Sequence, residues 1–480
     1  MPRRMPCLAL AALSAAIAAA AGPPVSVERA AGRITAAGAY ATVERLTAPE
    51  LAGRLTGTAG YAAAARWAAG EFQKAGLAPL PGMPDYLHPF THTLGGVESS
   101  EMSLLPAKEG ETPRQLELMK EYVPLLYSGS GDVTAEVVFV GYGITAADLG
   151  RDDYAGVDVT GKVVMALRGA PEDGRDWLAH NSHRARTANA RAHGAAGYLF
   201  AESAIANPNG VPIPELPMAA VSEEIANALL AGRNLTVADL RKVLAAGGVA
   251  SFATGRSVRL AVTAPPPREV EAGSVVGWLA GADPALRGEY VIVGAHLDHV
   301  GNWPVLMPGA DDNASGSATV IEIARAAARL EPRPRRSLLF VLFGGEETGL
   351  LGSRALVERP PQGLGKCIGV YNLDMVGAGT GAYVSGGENF PALFQALERA
   401  RDRVQPGMPL KAGRSGGEPR ADHGPFQAAG IPAVSIFGSG GNHHGYHSGE
   451  DTIWWITPKA MEAIGRVVLV AVADVADSGS

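Results

Sequence analysis

A short apolar run that ends abruptly in histidine and carboxylate is the feature that most constrains this chain. Residues 289–299 read EYVIVGAHLDH, and the stretch from Tyr290 to Ala295 is almost continuously apolar. Such a run suits a β-strand that is buried on both faces. His296, Asp298 and His299 lie at its end. Because ligands of open α/β sheets bind outside the carboxyl ends of the strands, the pattern predicts a functional site at that edge.

The same arrangement recurs twice further along the chain. A second apolar run, residues 337–343, is followed by two glycines and then by Glu346 and Glu347. A third run, residues 368–373, stops at Asp374. Few structural reasons place acidic residues directly after buried strands. The repeated order therefore predicts that these side chains meet at one sheet edge and form a metal site.

Two loops complete the predicted cluster. Asp312 lies in GADDNASG, which precedes an apolar-periodic helix of about residues 314–330, and His447 lies in GYHSGEDT. Two histidines and several carboxylates suit zinc when a water position stays open. The set is large enough for two ions if one carboxylate bridges them. Of the adjacent pair Glu346 and Glu347, one would hold metal while the other takes a proton from water.

Composition excludes several classes of protein. The 480 residues are 47% apolar and 19% charged, which is typical of a globular protein and of neither a disordered chain nor a polytopic membrane protein. The formal net charge is −7, and no basic stripe favours nucleic acid as a partner.

The first 21 residues predict a cleaved signal peptide. Arg3 and Arg4 precede an Ala/Leu-rich stretch over residues 7–20, and three alanines at 19–21 offer a cleavage site. We therefore expect export to the periplasm or the exterior, without stable membrane insertion after cleavage. Cleavage would also leave Cys367 as the only cysteine, which excludes an intrachain disulfide in the mature protein.

A change of character divides the mature chain. Residues 127–262 show short strands and turns but no cluster of acids and histidines, so we interpret them as an inserted accessory domain. Three prolines at 265–267 mark the return to the catalytic part. The predicted division is a signal peptide (1–21), an N-terminal part of the catalytic domain (22–126), the insert (127–262) and the main catalytic part (263–480).

The motifs in this order resemble those of peptidase family M28, a family of co-catalytic zinc peptidases. The resemblance rests on AHLDH, GADDNASG, GGEETGLLGS, NLDMVG, ADHGPF and YHSGEDT. The block 127–262 resembles, less specifically, the protease-associated (PA) domain. The resemblance implies a three-layer α/β/α aminopeptidase fold, phosphorylase/hydrolase-like, with a mostly-β PA domain inserted. It also implies a zinc-dependent aminopeptidase that acts on peptides.

The family pattern assigns roles to individual residues. It implies two Zn²⁺ per chain, with two ligands for each ion and one bridge: His296 with Asp374, Glu347 with His447, and Asp312 between them. Glu346 would be the general base that deprotonates the water bridging the ions. Asp298 would orient His296 through its other ring nitrogen. A cis peptide bond after Asp312 is also implied.

Tyr446 and four histidines lie outside the ligand set that the resemblance implies. In some family members a tyrosine just before the last histidine ligand polarises the scissile carbonyl or stabilises its oxyanion, whereas the alternative is a packed aromatic ring. His299, His423, His443 and His444 exceed the ligand count, so we interpret them as structural or as lining the mouth of the site.

Three alternatives to an aminopeptidase stay open. A carboxypeptidase or dipeptidase could use the same metal site, and an arginine-lined pocket near Arg414 and Arg420 would favour it. A glutaminyl cyclase works with one zinc, and the complete set of five ligands plus a base argues against it. A receptor-like relative without activity should have lost ligands, and none is missing here. Oligomeric state, native metal and side-chain preference are not indicated by the sequence.

Overall fold

The computed structural model describes residues 26–106, 110–177, 179–415 and 421–478. The predicted signal peptide, residues 1–21, lies outside the described residues. Within the described part, no helix combines the length and the apolar character needed to cross a membrane. The described residues form two eight-stranded sheets and one small two-stranded sheet.

The strands and helices are numbered in chain order. The strands are β1 (Leu87–Leu94), β2 (Ser99–Leu104), β3 (Arg114–Gln115), β4 (Tyr122–Pro124), β5 (Gly131–Val140), β6 (Thr145–Ala146), β7 (Arg151–Asp152), β8 (Val163–Leu167), β9 (Gly197–Glu202), β10 (Met218–Ser222), β11 (Ser251–Thr263), β12 (Arg268–Leu279), β13 (Tyr290–His296), β14 (Ser337–Phe343), β15 (Cys367–Leu373), β16 (Gly381–Ser385), β17 (Leu410–Gly413) and β18 (Ala433–Ser439). The helices are α1 (Val27–Ala31), α2 (Ala36–Leu46), α3 (Ala59–Ala75), α4 (His183–Ala192), α5 (Glu223–Leu230), α6 (Val237–Ala245), α7 (Gly316–Ala327), α8 (Leu351–Glu358), α9 (Pro391–Val404), α10 (His423–Ala428) and α11 (Pro458–Asp477).

The first sheet is mixed and carries the predicted site at its centre. Its strand order is β1-β12-β14-β13-β15-β18-β16-β17. The four central strands β14, β13, β15 and β18 are parallel to one another. Strands β12 and β16 flank them in antiparallel pairs. The carboxyl ends of β13, β14 and β15 therefore meet at one edge, as the sequence predicted.

Burial on both faces explains why the central strands read as apolar runs. Along β13, Val291 and Val293 pack into the helix layer of α1, α2, α3, α7, α9 and α11, whereas Tyr290 and Ile292 pack into the layer of α8 and α10. Successive side chains of a strand point to opposite faces, so a strand between two helix layers needs apolar residues at every position. The predicted three-layer α/β/α architecture is confirmed.

The second sheet belongs to the inserted block but begins earlier than predicted. Its order is β3-β2-β11-β5-β8-β9-β10-β4, so it draws on residues from Ser99 to Thr263. The predicted boundary at residue 127 therefore does not coincide with the sheet, because β2, β3 and β4 lie before it. These early strands are only two to six residues long. Strands that short give little periodic signal.

Side chains of both domains meet beside the main sheet. Leu126 and Ala206 from the second domain pack with Val300 and Met307, which belong to the loop after β13. The indole nitrogen of Trp303 in the same loop donates to the backbone oxygen of Glu98 at 3.2 Å. The second domain therefore lies directly against the carboxyl edge of the first sheet.

Two glycines shape the turn that follows β14. A Cβ on Gly344 would collide with the hydroxyl oxygen of Tyr61, which belongs to α3. That hydroxyl donates to the backbone oxygen of Gly273 at 2.7 Å. Gly345 adopts a φ of 71°, in the left-handed region that favours glycine. Together they let the chain turn sharply just before Glu346.

The close approach at Gly344 predicts a stability effect. Gly344→Ala is expected to lower the free energy of unfolding by about 1–3 kcal/mol, because the added methyl group must displace Tyr61. The loss should shrink in a Tyr61→Phe background, since the colliding hydroxyl is then absent. Gly70→Ala within α3 is the matched control: its Cβ would meet nothing within 4 Å, so alanine should stabilise by about 0.5–1 kcal/mol. Urea unfolding of these variants measures both, and equal effects of the two alanines would contradict this packing.

Candidate metal centre

The predicted ligands converge at the carboxyl edge of the first sheet. His296 is the last residue of β13, Glu347 lies in the turn after β14, and Asp374 directly follows β15. Asp312 lies in the irregular segment Ala310–Ser315 before α7, and His447 lies in the loop after β18. All five side chains are buried, and Glu346 is half-buried beside them. The peptide bond between Asp312 and Asn313 is cis, as the resemblance implied.

Asp312 stands between two histidines. Its Oδ1 lies 3.2 Å from His296 Nε2, and its Oδ2 lies 3.2 Å from His447 Nε2. On the outer sides, Asp374 Oδ1 lies 3.4 Å from His296 Nε2 and Glu347 Oε2 lies 2.9 Å from His447 Nε2. The five side chains thus form two groups that share one carboxylate.

The spacing of these atoms fits metal ligands. Donors held at about 2.0–2.2 Å around a tetrahedral ion lie about 3.3 Å from one another, close to the separations found here. Asp312 Oδ2 and His447 Nε2 are buried without a hydrogen-bond partner among the described residues. A buried polar atom without a partner is costly unless something else satisfies it. The donor set is therefore chemically suited to divalent cations.

Backbone carbonyls fix both histidines in the orientation that a ligand needs. His296 Nδ1 donates to the carbonyl of Asp298 at 3.1 Å, and His447 Nδ1 donates to the carbonyl of Ala206 at 2.7 Å. A carbonyl only accepts, so each Nδ1 carries a proton and each Nε2 faces the cluster, where it would offer its lone pair to a bound cation. The partner of His447 comes from the second domain, and sequence reasoning did not identify it.

Asp298 contacts His296 differently from the predicted arrangement. Its carboxylate lies 3.9 Å from His296 Nδ1, whereas its backbone oxygen makes the hydrogen bond. The carboxylate instead accepts the backbone N–H groups of Glu346 and Glu347, each at 3.3 Å. Asp298 therefore positions three members of the cluster at once, His296 through its backbone and the two glutamates through its side chain.

His299 is more closely involved than the sequence interpretation allowed. It is fully buried, and its Nδ1 lies 3.0 Å from Glu347 Oε1. With Asp312, Glu347 and His447 it forms a group whose ligand atoms all lie within 4.8 Å of one another. Burial lowers the pKa of His299, so its ring is neutral and can donate one N–H to Glu347. The second histidine of AHLDH was the only sequence signal for this contact.

The remaining candidates lie around the cluster. Asp311 turns away from it, because its Oδ1 accepts the N–H of Gly377 at 2.8 Å and its Oδ2 contacts His443. The ring of His444 stacks on Trp455 with centroids 3.9 Å apart. His423 is buried in α10, where burial lowers its pKa to about 4. Tyr446 stacks on the His447 ring at 3.9 Å and is 44% exposed, which places it at the mouth.

Electrostatics in the cluster are dominated by its carboxylates. Burial opposes protonation of His447, but Glu347 and Asp312 outweigh it and raise the pKa of His447 to about 10. Burial raises the pKa of Glu346 well above its usual value, and Glu347, Asp422 and Asp374 add to the shift. A carboxyl group with a raised pKa is suited to general acid–base chemistry near neutral pH.

Arg54 supports the cluster from behind and was also missed by sequence reasoning. It is completely buried, and its guanidinium donates to four backbone carbonyls, those of Leu46, Leu297, Pro308 and Gly309, at 2.6–2.9 Å. Burial lowers the pKa of Arg54 to about 10, while Asp451, Asp312, Asp298 and Glu347 oppose that shift. The group therefore ties together the loops that follow β13 and precede α7.

Fold and site together define an α/β protein with a candidate metal centre at the carboxyl edge of its sheet. Two family models match the chain: peptidase family M28 over residues 274–472 and the PA domain over residues 133–229. The predicted ligands and Glu346 all lie within the first match. These matches to an M28 peptidase domain and to a PA domain confirm the resemblance drawn from the motifs.

Individual relatives agree with this assignment. Leupeptin-inactivating enzyme 1 of Streptomyces exfoliatus is 34% identical over 164 residues, which cover 34% of this chain and 35% of that protein. The chain spans 29–54% of the length of the first curated relatives it matches. The aminopeptidase from Aneurinibacillus sp. strain AM-1 shares the fold, with a TM-score of 0.68 and 24% identity over 95% of this chain and 97% of that one. BSAP, a zinc aminopeptidase from Bacillus subtilis, also shares the fold. Its TM-score is 0.60, and it is 21% identical over 92% of this chain and 95% of that one.

The contacts of Arg54 predict a large stability effect. Arg54→Met should lower the free energy of unfolding by about 3 kcal/mol or more, because it leaves buried carbonyls unsatisfied at about 1–3 kcal/mol each. Arg54→Lys should have a free energy of unfolding between those of the wild-type protein and Arg54→Met, since an ammonium group cannot reach all four acceptors. Arg66→Met, on the exposed side of α3, is the control and should change stability by less than about 0.5 kcal/mol. Urea unfolding decides: equal midpoints for Arg54→Met and Arg66→Met would contradict the role of Arg54.

Proposed function

We propose that this chain is an exported metallo-aminopeptidase that uses two zinc ions to hydrolyse the N-terminal bond of peptides. One observation carries the proposal: the two oxygens of Asp312 face different histidines, His296 and His447, within one buried cluster. The M28 domain supports peptide hydrolysis, and the similar structures from Aneurinibacillus and Bacillus subtilis are those of aminopeptidases, the latter a zinc enzyme. Export rests on the signal-peptide pattern of residues 1–21.

The proposed ligand sets follow the two groups around Asp312. One ion would be held by His296, Asp374 and Asp312, and the other by Glu347, His447 and Asp312. Zinc suits imidazole and carboxylate ligands when a position stays open for water or substrate. Bound there, the two ions would polarise the scissile carbonyl and lower the pKa of the attacking water.

The chain's own residues account for the proton transfers. Glu346 lies beside the proposed ligands His296 and Glu347, where its carboxylate would take a proton from the attacking water. It would then deliver that proton to the departing amine nitrogen as the peptide bond breaks. Asp298 keeps Glu346 in place by accepting its backbone N–H. Tyr446 at the mouth, which stacks on the His447 ring, would donate a hydrogen bond from its hydroxyl to the oxyanion.

The alternatives gain no support from the arginines first considered. Arg414 is exposed and pairs with Glu388 at 3.1 Å, and Arg420 lies outside the described residues. A carboxypeptidase would use the same metal cluster, so the choice of terminus rests on substrate tests. A glutaminyl cyclase that binds one zinc ion would not need the second group of donors, Glu347 and His447.

The two adjacent glutamates should respond differently to the same substitution. Glu346→Gln is expected to retain bound metal and lose about 10²–10⁴-fold in kcat, because the amide cannot take the proton. Glu347→Gln should lose metal as well, since it removes a proposed ligand. Glu358→Gln, exposed at the end of α8, is the control. Metal content and peptide hydrolysis are measured on the same samples. An active Glu346→Gln enzyme would exclude Glu346 as the base.

Blocking one end of a peptide identifies the terminus that is recognised. We expect the purified mature protein to cleave a peptide with free ends and to lose cleavage when its N-terminus is acetylated, because the free amine is then gone. The protein should contain about two zinc ions, and a chelator should lower its melting temperature, since a ligand of the native state stabilises it. Loss of cleavage on C-terminal amidation instead would make the enzyme a carboxypeptidase. Absence of cleavage in every form would reject the peptidase proposal.

A further inference from the structure

A cleft of about 210 Å³ lies between the two domains. The first domain lines it with Leu55, part of β1 and Thr348, and the second domain lines it with Arg184 and Pro208. The lining includes exposed residues, Arg184 among them, so the cleft is open to solvent.

The cleft is adjacent to the candidate metal centre. Thr348 directly follows the proposed ligand Glu347. On the opposite wall, Pro208 is two residues from Ala206, whose carbonyl accepts from His447 at 2.7 Å. Both walls of the cleft therefore lie within two residues of groups that form or hold the cluster, and we infer that a peptide bound at the cluster extends its following residues along this path.

Arg184 gives the cleft its charge. Among the described residues that line it, Arg184 is the only lysine or arginine, and none is an aspartate or a glutamate. Two other arginines of α4 have partners: Arg186 donates to the carbonyl of Leu167 at 3.2 Å, and Arg191 lies 3.6 Å from a carboxylate oxygen of Glu215. The Arg184 side chain makes no hydrogen bond or ion pair within the described part of the chain. It also lies in the first turn of α4, where the helix dipole adds positive potential.

The charges at the two ends of this path are opposite. The cluster end is rich in carboxylates, which attract a free α-amine, and the cleft end carries a guanidinium, which binds carboxylates through two parallel hydrogen bonds. A short peptide carries both charges. We propose that Arg184 binds a carboxylate of the peptide substrate downstream of the cleaved bond, so that the PA domain contributes to substrate selection. This inference rests on the proposed peptidase function.

The carboxylate has two possible sources. It is either the C-terminus of a short peptide or an acidic side chain at the second or third residue. The free acid and the amide of Leu-Ala and Leu-Ala-Ala test the first source. Leu-Ala-Glu amide against Leu-Ala-Gln amide tests the second.

The test compares three substitutions in the full-length mature protein. In the wild-type enzyme, kcat/KM should be higher for the carboxylate member of at least one substrate pair. Arg184→Gln should reduce that preference about tenfold or more, because an ion-paired hydrogen bond is lost. The reduction should come from a higher KM for the carboxylate substrate and not from a lower kcat. Arg184→Lys should restore part of it, since the charge remains. Arg191→Gln, the same change on the same helix, should keep the wild-type preference. An unchanged preference in Arg184→Gln would overturn the inference.

Binding measurements separate this inference from the peptidase proposal. If no peptide is cleaved, the peptidase proposal fails, and calorimetric titration with the same peptides decides the role of Arg184. Tighter binding of the free acid than of the amide, lost in Arg184→Gln and kept in Arg191→Gln, supports the subsite. Equal binding of acid and amide by the wild-type protein would exclude it. If cleavage occurs without any carboxylate preference, the enzyme assignment stands and the subsite does not.

Discussion

Repulsion among buried carboxylates is the constraint on which the rest of this structure depends. Asp298, Asp312, Glu347 and Asp374 are buried at one sheet edge, with Glu346 half-buried among them. Such a group cannot all stay ionised without nearby positive charge. The chain supplies part of it through Arg54 and through imidazoles whose pKa values the acids raise. Bound divalent cations would supply the remainder of the positive charge. The electrostatics and the spacing of the donor atoms therefore both favour a site for divalent cations.

Backbone groups hold this cluster in shape, which explains why the second domain cannot be a detached accessory. The Ala206 carbonyl sets the tautomer of His447, and the same loop leads to Pro208 on the wall of the cleft. Asp451 accepts the N–H groups of Asp311 and Asp312 at 2.8 and 3.0 Å and so fixes the shared carboxylate. Parts of the chain far apart in sequence are thus needed for one ligand geometry. A shift of the PA domain would change both the candidate metal site and the proposed path of the substrate.

The sequence predicted those parts of the molecule that leave a periodic or compositional pattern. The run at 337–343 coincides with β14, because double-sided burial has a local signature. The membership of β2, β3 and β4 in the second sheet was not predicted, since strands of two to six residues give little periodic signal. The contacts of Arg54 and of the Ala206 carbonyl were missed because a backbone acceptor has no residue-specific signature. His299 was visible in AHLDH, but only the folded chain brings it to Glu347.

Adjacent positions can serve different roles here because the turn after β14 separates their side chains. The two carboxylate oxygens of Glu347 contact different histidines: Oε1 contacts His299 and Oε2 contacts His447. Glu346 lies on the side of His296 and Asp374, where burial and like charge raise its pKa. The turn needs Gly344 beneath Tyr61 and Gly345 in the left-handed region, while Asp298 accepts both glutamate N–H groups. One proposed ligand oxygen and one proposed proton acceptor therefore come from consecutive residues, because packing and two backbone hydrogen bonds determine which way each one points.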